Sequence, residues 1–100
     1  MTRAEWMAEG FRRFGADHQK WRFICPVCKH VATPQEWLAA GASAGEIAFS
    51  CIGRRLPNPR KAFGSNGKGP CDYAGGGLFR LNPVKVEGME ESFFDFAPER

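Results

Sequence analysis

The chain has 100 residues, 43% of them hydrophobic and 25% charged, with four cysteines and a formal net charge of +3. That length describes one domain spanning residues 1–100, near the small end of what a single apolar core stabilises unaided, so a staple is expected. No apolar run reaches the length of a membrane span, which excludes a membrane-crossing helix.

The N-terminal stretch MTRAEWMAEGFRRFG is interrupted by charge every few residues and has no apolar core of a signal peptide. The expected compartment is therefore the cytoplasm, where thiols stay reduced. Thr2-Arg3-Ala4-Glu5 has the form of a capping box, and Ala4, Met7, Ala8, Phe11 and Phe14 follow with helical spacing up to Gly15. This predicts an amphipathic first helix whose aromatic stripe is core. KWRFI at 20–24 alternates and is rich in aromatics, so it reads as a short strand entering a Cys-x-x-Cys turn, with a return through His30 and Val31. Thr33-Pro34-Gln35-Glu36 is a second capping box with proline at the first helical position, followed by Trp37 and Leu38 and closed by Gly41. Ser43-Ala44-Gly45-Glu46 is a third, predicting a short helix with Ile47, Ala48, Cys51 and Ile52 on one side and Cys51 in its last, buried turn.

From Gly53 to Pro70 there is no periodicity, only GRRLPNPRKAFGSNGKGP, with three prolines and four glycines. After Cys71 the pattern turns to β. GLFRL, VKVE and ESFFDF are predicted strands, and Glu87-Gly88-Met89-Glu90 is a hairpin connection.

Cys25 and Cys28 are two residues apart, Cys51 follows after 22 intervening residues and Cys71 after 19 more. One tetrahedral Zn²⁺ needs four soft ligands, and the chain supplies a complete thiolate set with none left over. Pro26 fixes the backbone early in the turn, and the N–H groups after Cys25 can point at its sulfur. Lys29 stands where a positive φ, easiest for glycine, is expected. The rival is a thioredoxin-type dithiol, for which CPVC is a local match. That chemistry requires the first cysteine at a helix N-terminus, whereas the following helix has its own cap at Thr33, and Cys51 and Cys71 would go unexplained. His30 is the one alternative ligand, in place of a cysteine. A closed four-thiolate shell has no open position for water or substrate, so the expected role is one structural zinc and not a catalytic one. It would also explain an unstructured loop over 52–70, held at both ends by the metal.

Several blocks, namely AEGFRRFG, WRFICPVCKHVATPQEW, CIGR, GKGPCDYAGGGLFRLNPV and the terminal FDFA, resemble a family of short phage and prophage proteins that carry no assigned biochemical function. Together they cover most of residues 8–97. The resemblance implies a mobile-element origin and a bacterial cytoplasm. It carries the zinc reading to Cys25, Cys28, Cys51 and Cys71, which lie inside the matching blocks, and it implies no reaction and no ligand.

Charge is unevenly placed: residues 51–82 carry +5 and residues 83–100 carry −3. Four thiolates with one Zn²⁺ would bring the total from +3 to +1, so only local clustering argues for a nucleic-acid partner. Arg54, Arg55, Arg60, Lys61 and Lys68 cluster in the loop, and Phe63 adds a ring that can stack on a base. The plain alternative is a solvated loop in which Arg54 or Arg55 neutralises the zinc centre. GSNGKG lacks the spacing and following helix of a P-loop.

The sequence thus predicts an α+β, zinc-ribbon-like domain with an N-terminal helix, a four-cysteine zinc site and a C-terminal antiparallel sheet. The expected function is macromolecular binding without catalysis, through nucleic acid on the 53–68 loop. The alternatives are a protein-protein inhibitor of a host enzyme or defence complex and, remotely, a Cys-x-x-Cys redox protein. The acidic residues Glu87, Glu90, Glu91, Asp95 and Glu99 form a second candidate surface. His18 and His30 have no recognisable nucleophile or carboxylate partner, so no enzyme is expected.

Overall fold

A computed structural model describes residues 1–57, 59, 61–62, 69–77 and 80–98. Helix α1 (Arg3–Phe14) begins at the expected capping box: the Glu5 N–H donates to Thr2 Oγ1 at 3.0 Å, and the Thr2 N–H donates to Glu5 Oε1 at 2.7 Å. It ends at Gly15, whose φ of 89° lies in the left-handed half of the map and whose N–H closes on the Phe11 carbonyl. Trp6, Met7 and Phe14 turn toward the core. Gly10 is where the helix meets Trp21, since a Cβ there would stand 2.2 Å from the indole ring.

The strand expected over 20–24 is shorter than the alternation suggested. His18–Lys20 forms a 3-10 turn, capped by the Asp17 carboxylate, and only Phe23–Ile24 is strand β1. β2 (Val31–Ala32) returns antiparallel, Phe23 opposite Ala32 and Ile24 opposite Val31. Helix α2 (Pro34–Ala39) then starts at the second capping box, Thr33 with Glu36, and buries Trp37.

The third predicted helix does not form. Glu46 does accept from the Ser43 N–H at 2.9 Å, but Ala44–Glu46 is a single 3-10 turn, and Ala48 at φ 56° takes the chain out of helical geometry. Cys51 is consequently extended, not in a last helical turn, and it precedes a third 3-10 turn, Ile52–Arg55, at the start of the expected loop.

Two short antiparallel sheets follow. β3 (Val84–Lys85) pairs with β4 (Ser92–Phe93), and β5 (Asp95–Phe96) adds to β1, giving the order β2-β1-β5. ESFFDF, expected as one strand, is therefore split between two sheets at Phe94, whose N–H donates to the Ala48 carbonyl at 2.7 Å. The last strand joins an N-terminal one, so the β structure is not a C-terminal sheet alone. The hairpin connection is as expected, with Gly88 at φ 84° and the Met89 N–H closing on Val86. GLFRL contributes no strand among its described residues; Leu78 and Phe79 lie outside them, and the Leu81 N–H donates to the Tyr73 hydroxyl instead. No helix among the described residues is long and apolar enough to cross a membrane.

The core is aromatic. Trp21, Trp37, Tyr73 and Phe94 are its largest fully buried side chains, and Trp6 stacks on both Phe23 and Phe96 at ring separations of 6.2 and 5.4 Å. The two fully buried indoles keep their hydrogen bonds: Trp21 donates to the Gly15 carbonyl and Trp37 to the Ser50 carbonyl. Trp37 also fixes the segment leading to Cys51, because Ser50 is its immediate neighbour.

Candidate metal centre

Cys25 and Cys28 sit on the turn that joins β1 to β2. The Cys25 N–H donates to the His30 carbonyl at 3.0 Å and the Lys29 N–H to the Cys25 carbonyl at 3.1 Å, closing a tight loop around the pair. Closure requires Lys29 at φ 65°, the left-handed conformation expected at this position. The Val27 N–H points at Cys25 Sγ, 3.4 Å away.

The other two cysteines approach from the opposite half of the chain. The Cys51 N–H donates to the Tyr73 carbonyl at 2.9 Å, so the segments around 51 and 73 lie side by side. Gly53 allows this: a Cβ there would fall 2.1 Å from the Cys71 carbonyl oxygen. Asp72 secures the arrangement by accepting the Ala62 N–H at 2.7 Å, which ties the middle of the 52–70 segment to Cys71. Glycine after Cys-Ile and aspartate directly after Cys71 are plain in the sequence, but their roles depend on which distant backbone they meet.

The four sulfurs converge. Cys25 Sγ lies 3.8 Å from Cys71 Sγ, Cys28 Sγ lies 3.7 Å from Cys51 Sγ, and all four fall within 4.8 Å of one another. Four thiolates bound at about 2.3 Å to a central ion would stand about 3.8 Å apart at the corners of a tetrahedron, so the two measured pairs already have that spacing. All four thiols are free, at separations far beyond the S–S bond of about 2.05 Å. His30 is outside the cluster. Cys25, Cys51 and Cys71 are buried and Cys28 is partly exposed, so the centre lies just beneath the surface.

The four thiols perturb one another electrostatically. The Cys25 and Cys51 thiols hold Cys28 well below the ordinary thiol range, whereas Cys28 raises Cys25, Cys25 and Cys28 raise Cys51, and burial pushes Cys71 up to about 12. Ionising one thiol thus disfavours ionising its neighbours, since adjacent thiolates repel. Opposing this, a backbone N–H two residues after each cysteine favours its thiolate: Val27 for Cys25, His30 for Cys28, Gly53 for Cys51 and Tyr73 for Cys71. A cation at the centre would remove the mutual repulsion and leave those N–H bonds in place.

Arg54 and Arg55 do not pair with the cysteine centre. Both pair with Glu46, Arg55 Nη2 at 2.6 Å with a further Nε contact and Arg54 Nη1 at 3.7 Å. Lys61 is exposed, while Arg60, Phe63 and Lys68 lie outside the described residues. On the acidic side, Glu91 pairs with Arg80 at 3.4 Å, Glu87, Glu90 and Asp95 are exposed, and Glu99 is outside the described residues.

Fold and site together define a small α+β domain organised around four convergent cysteines, an arrangement compatible with one metal ion. The chain belongs to the VVA0879-like family, which it matches over residues 2–97. No curated protein and no solved structure matches it.

Proposed function

We propose that this is a non-enzymatic binding protein of phage or prophage origin, acting in the cytoplasm of a bacterial host and held together by one structural Zn²⁺ on Cys25, Cys28, Cys51 and Cys71. The observation that carries the reading is the sulfur cluster itself: four soft donors at tetrahedral spacing, each with a backbone N–H at hand and none to spare. Zinc would cross-link the β1–β2 turn to the two ends of the 52–70 segment. With four protein ligands it has no place for a substrate, which supports a scaffold and not a catalyst.

Among the described residues of this segment, Arg54, Arg55 and Lys61 are exposed, and its sequence also contains Arg60, Phe63 and Lys68. A segment of sequence with five cations, one aromatic and no acid suits a nucleic-acid strand. Fluorescence anisotropy with a labelled single-stranded oligonucleotide tests this. Affinity should fall steeply with salt, with a log-log slope of roughly −3 to −5 if most of these cations meet phosphates. Neutralising the five basic residues should abolish binding without changing metal content. Binding that ignores both changes would sink the nucleic-acid reading. Glu46 favours a second reading: by sitting between Arg54 and Arg55 it makes that surface mixed in sign, which suits a host protein as target. A pull-down from host lysate that survives nuclease treatment would select it.

A further inference from the structure

A cavity of about 320 Å³ opens on another face, between α1, the 3-10 turn at His18–Lys20, the turn at Ala44–Glu46 and the β3–β4 hairpin. Its size falls at the lower end of the range for small-molecule sites, about 300–1,000 Å³. Buried Trp21, Phe23 and Val86 form the floor, and the partly buried Trp6, Ile47 and Phe93 form the walls. None of the four cysteines lines it, so the cavity is independent of the metal centre and of the basic segment.

Arg3 is the one charged side chain at this cavity among the described residues. Arg3 and His18 are on its rim, both exposed, and no carboxylate among the described residues lines it. Arg3 has no ion pair among the described residues, unlike Arg12, Arg13, Arg54, Arg55 and Arg80, each of which reaches a glutamate. One helical turn further on, the Trp6 indole N–H is buried without a hydrogen-bond partner, a second unused donor on the same face of α1.

From this we infer a binding site for a small amphiphilic carboxylate, its aliphatic or aromatic body in the cavity and its head group on the Arg3 guanidinium. Apolar walls supply the affinity, and the unpaired cation selects an anion over a neutral molecule of the same shape.

Decanoate and 1-decanol, which share one chain and differ in the head group, are the probes. Each is titrated into the full chain and followed by tryptophan fluorescence, which Trp6 and Trp21 report directly. Decanoate should bind one saturable site at least tenfold more tightly than decanol. Arg3→Gln should erase that tenfold preference while leaving decanol binding unchanged. Ala44→Trp, an exposed rim position, should fill the opening and abolish binding of both; Met89→Trp on the facing hairpin does the same should the first variant not fold. Absence of saturation by millimolar decanoate, equal binding of the two probes, or unaltered binding to a folded rim variant would each overturn the assignment.

Discussion

A methyl group at position 53 would press into the Cys71 carbonyl, and the backbone there cannot withdraw without separating Cys51 from Cys71. Gly53→Ala is therefore expected to lower both metal retention and stability, the latter by about 1–3 kcal/mol from overpacking. Thermal unfolding and a colorimetric zinc-release assay read the two effects. Lys29 is the opposite case. Its φ of 65° is costly for a residue with a Cβ, so Lys29→Gly relieves strain of about 1–2 kcal/mol and gives back about half as unfolded-state entropy. Unfolding should move upward by a few degrees, and a downward shift would show that the Lys29 Nζ bond to the Pro26 carbonyl matters more. The two positions differ in legibility for a physical reason. Lys29 follows a local turn rule, whereas Gly53 is needed because of a backbone that returns much later in the chain.

Helix α2 has only six residues, too few to be stable alone, so its cap and its buried Trp37 must fix it. Thr33→Ala should cost about 1 kcal/mol in denaturant unfolding, since the Glu36 N–H would lose its acceptor. On α1, the guanidinium groups of Arg12 and Arg13 hold the Glu9 carboxyl at about 2, below its unfolded value. The contribution is thus complete above the ordinary glutamate range and lost as pH falls toward 2. Glu9→Gln should flatten this part of the acid-unfolding profile without affecting neutral pH by much, because the pair is exposed. At this scale the helices were readable because capping boxes and apolar spacing are local signals. The strands were legible in position but not in length or pairing, since each has two residues and exists only through its partner; ESFFDF alternates without marking Phe94 as the point where the chain changes sheets. The third capping box was real, yet Ala48 ended its helix at one turn.

For the whole molecule the four cysteines bring three separated segments together, and because all four thiols are free, a metal ion bound there would be what links those segments. Structural zinc in small domains is worth about 10–16 kcal/mol, against about 5–15 kcal/mol for the entire stability of a domain. Chelation should therefore abolish cooperative unfolding and not merely lower its midpoint. Acid should act in the same direction. A metal bound here would require thiolates, and with Cys71 raised to about 12 by burial, and Cys25 and Cys51 also raised, protons would compete for these sulfurs, so metal affinity should fall as pH falls. Cysteine spacing alone pointed to this centre, because four thiols in a chain with no other use for them define a ligand set. Its packing did not follow from spacing: Asp72, Gly53 and the pairing of Arg54 and Arg55 with Glu46 act through contacts between different segments that no local pattern marks.

The most direct test is native mass spectrometry of the purified chain beside its Cys51→Ser and Cys71→Ser variants. The four-cysteine centre requires one zinc per chain in the parent, and sharply reduced metal with expanded charge states in both variants. A parent that is compact and metal-free, or a variant that keeps its full zinc, would contradict it.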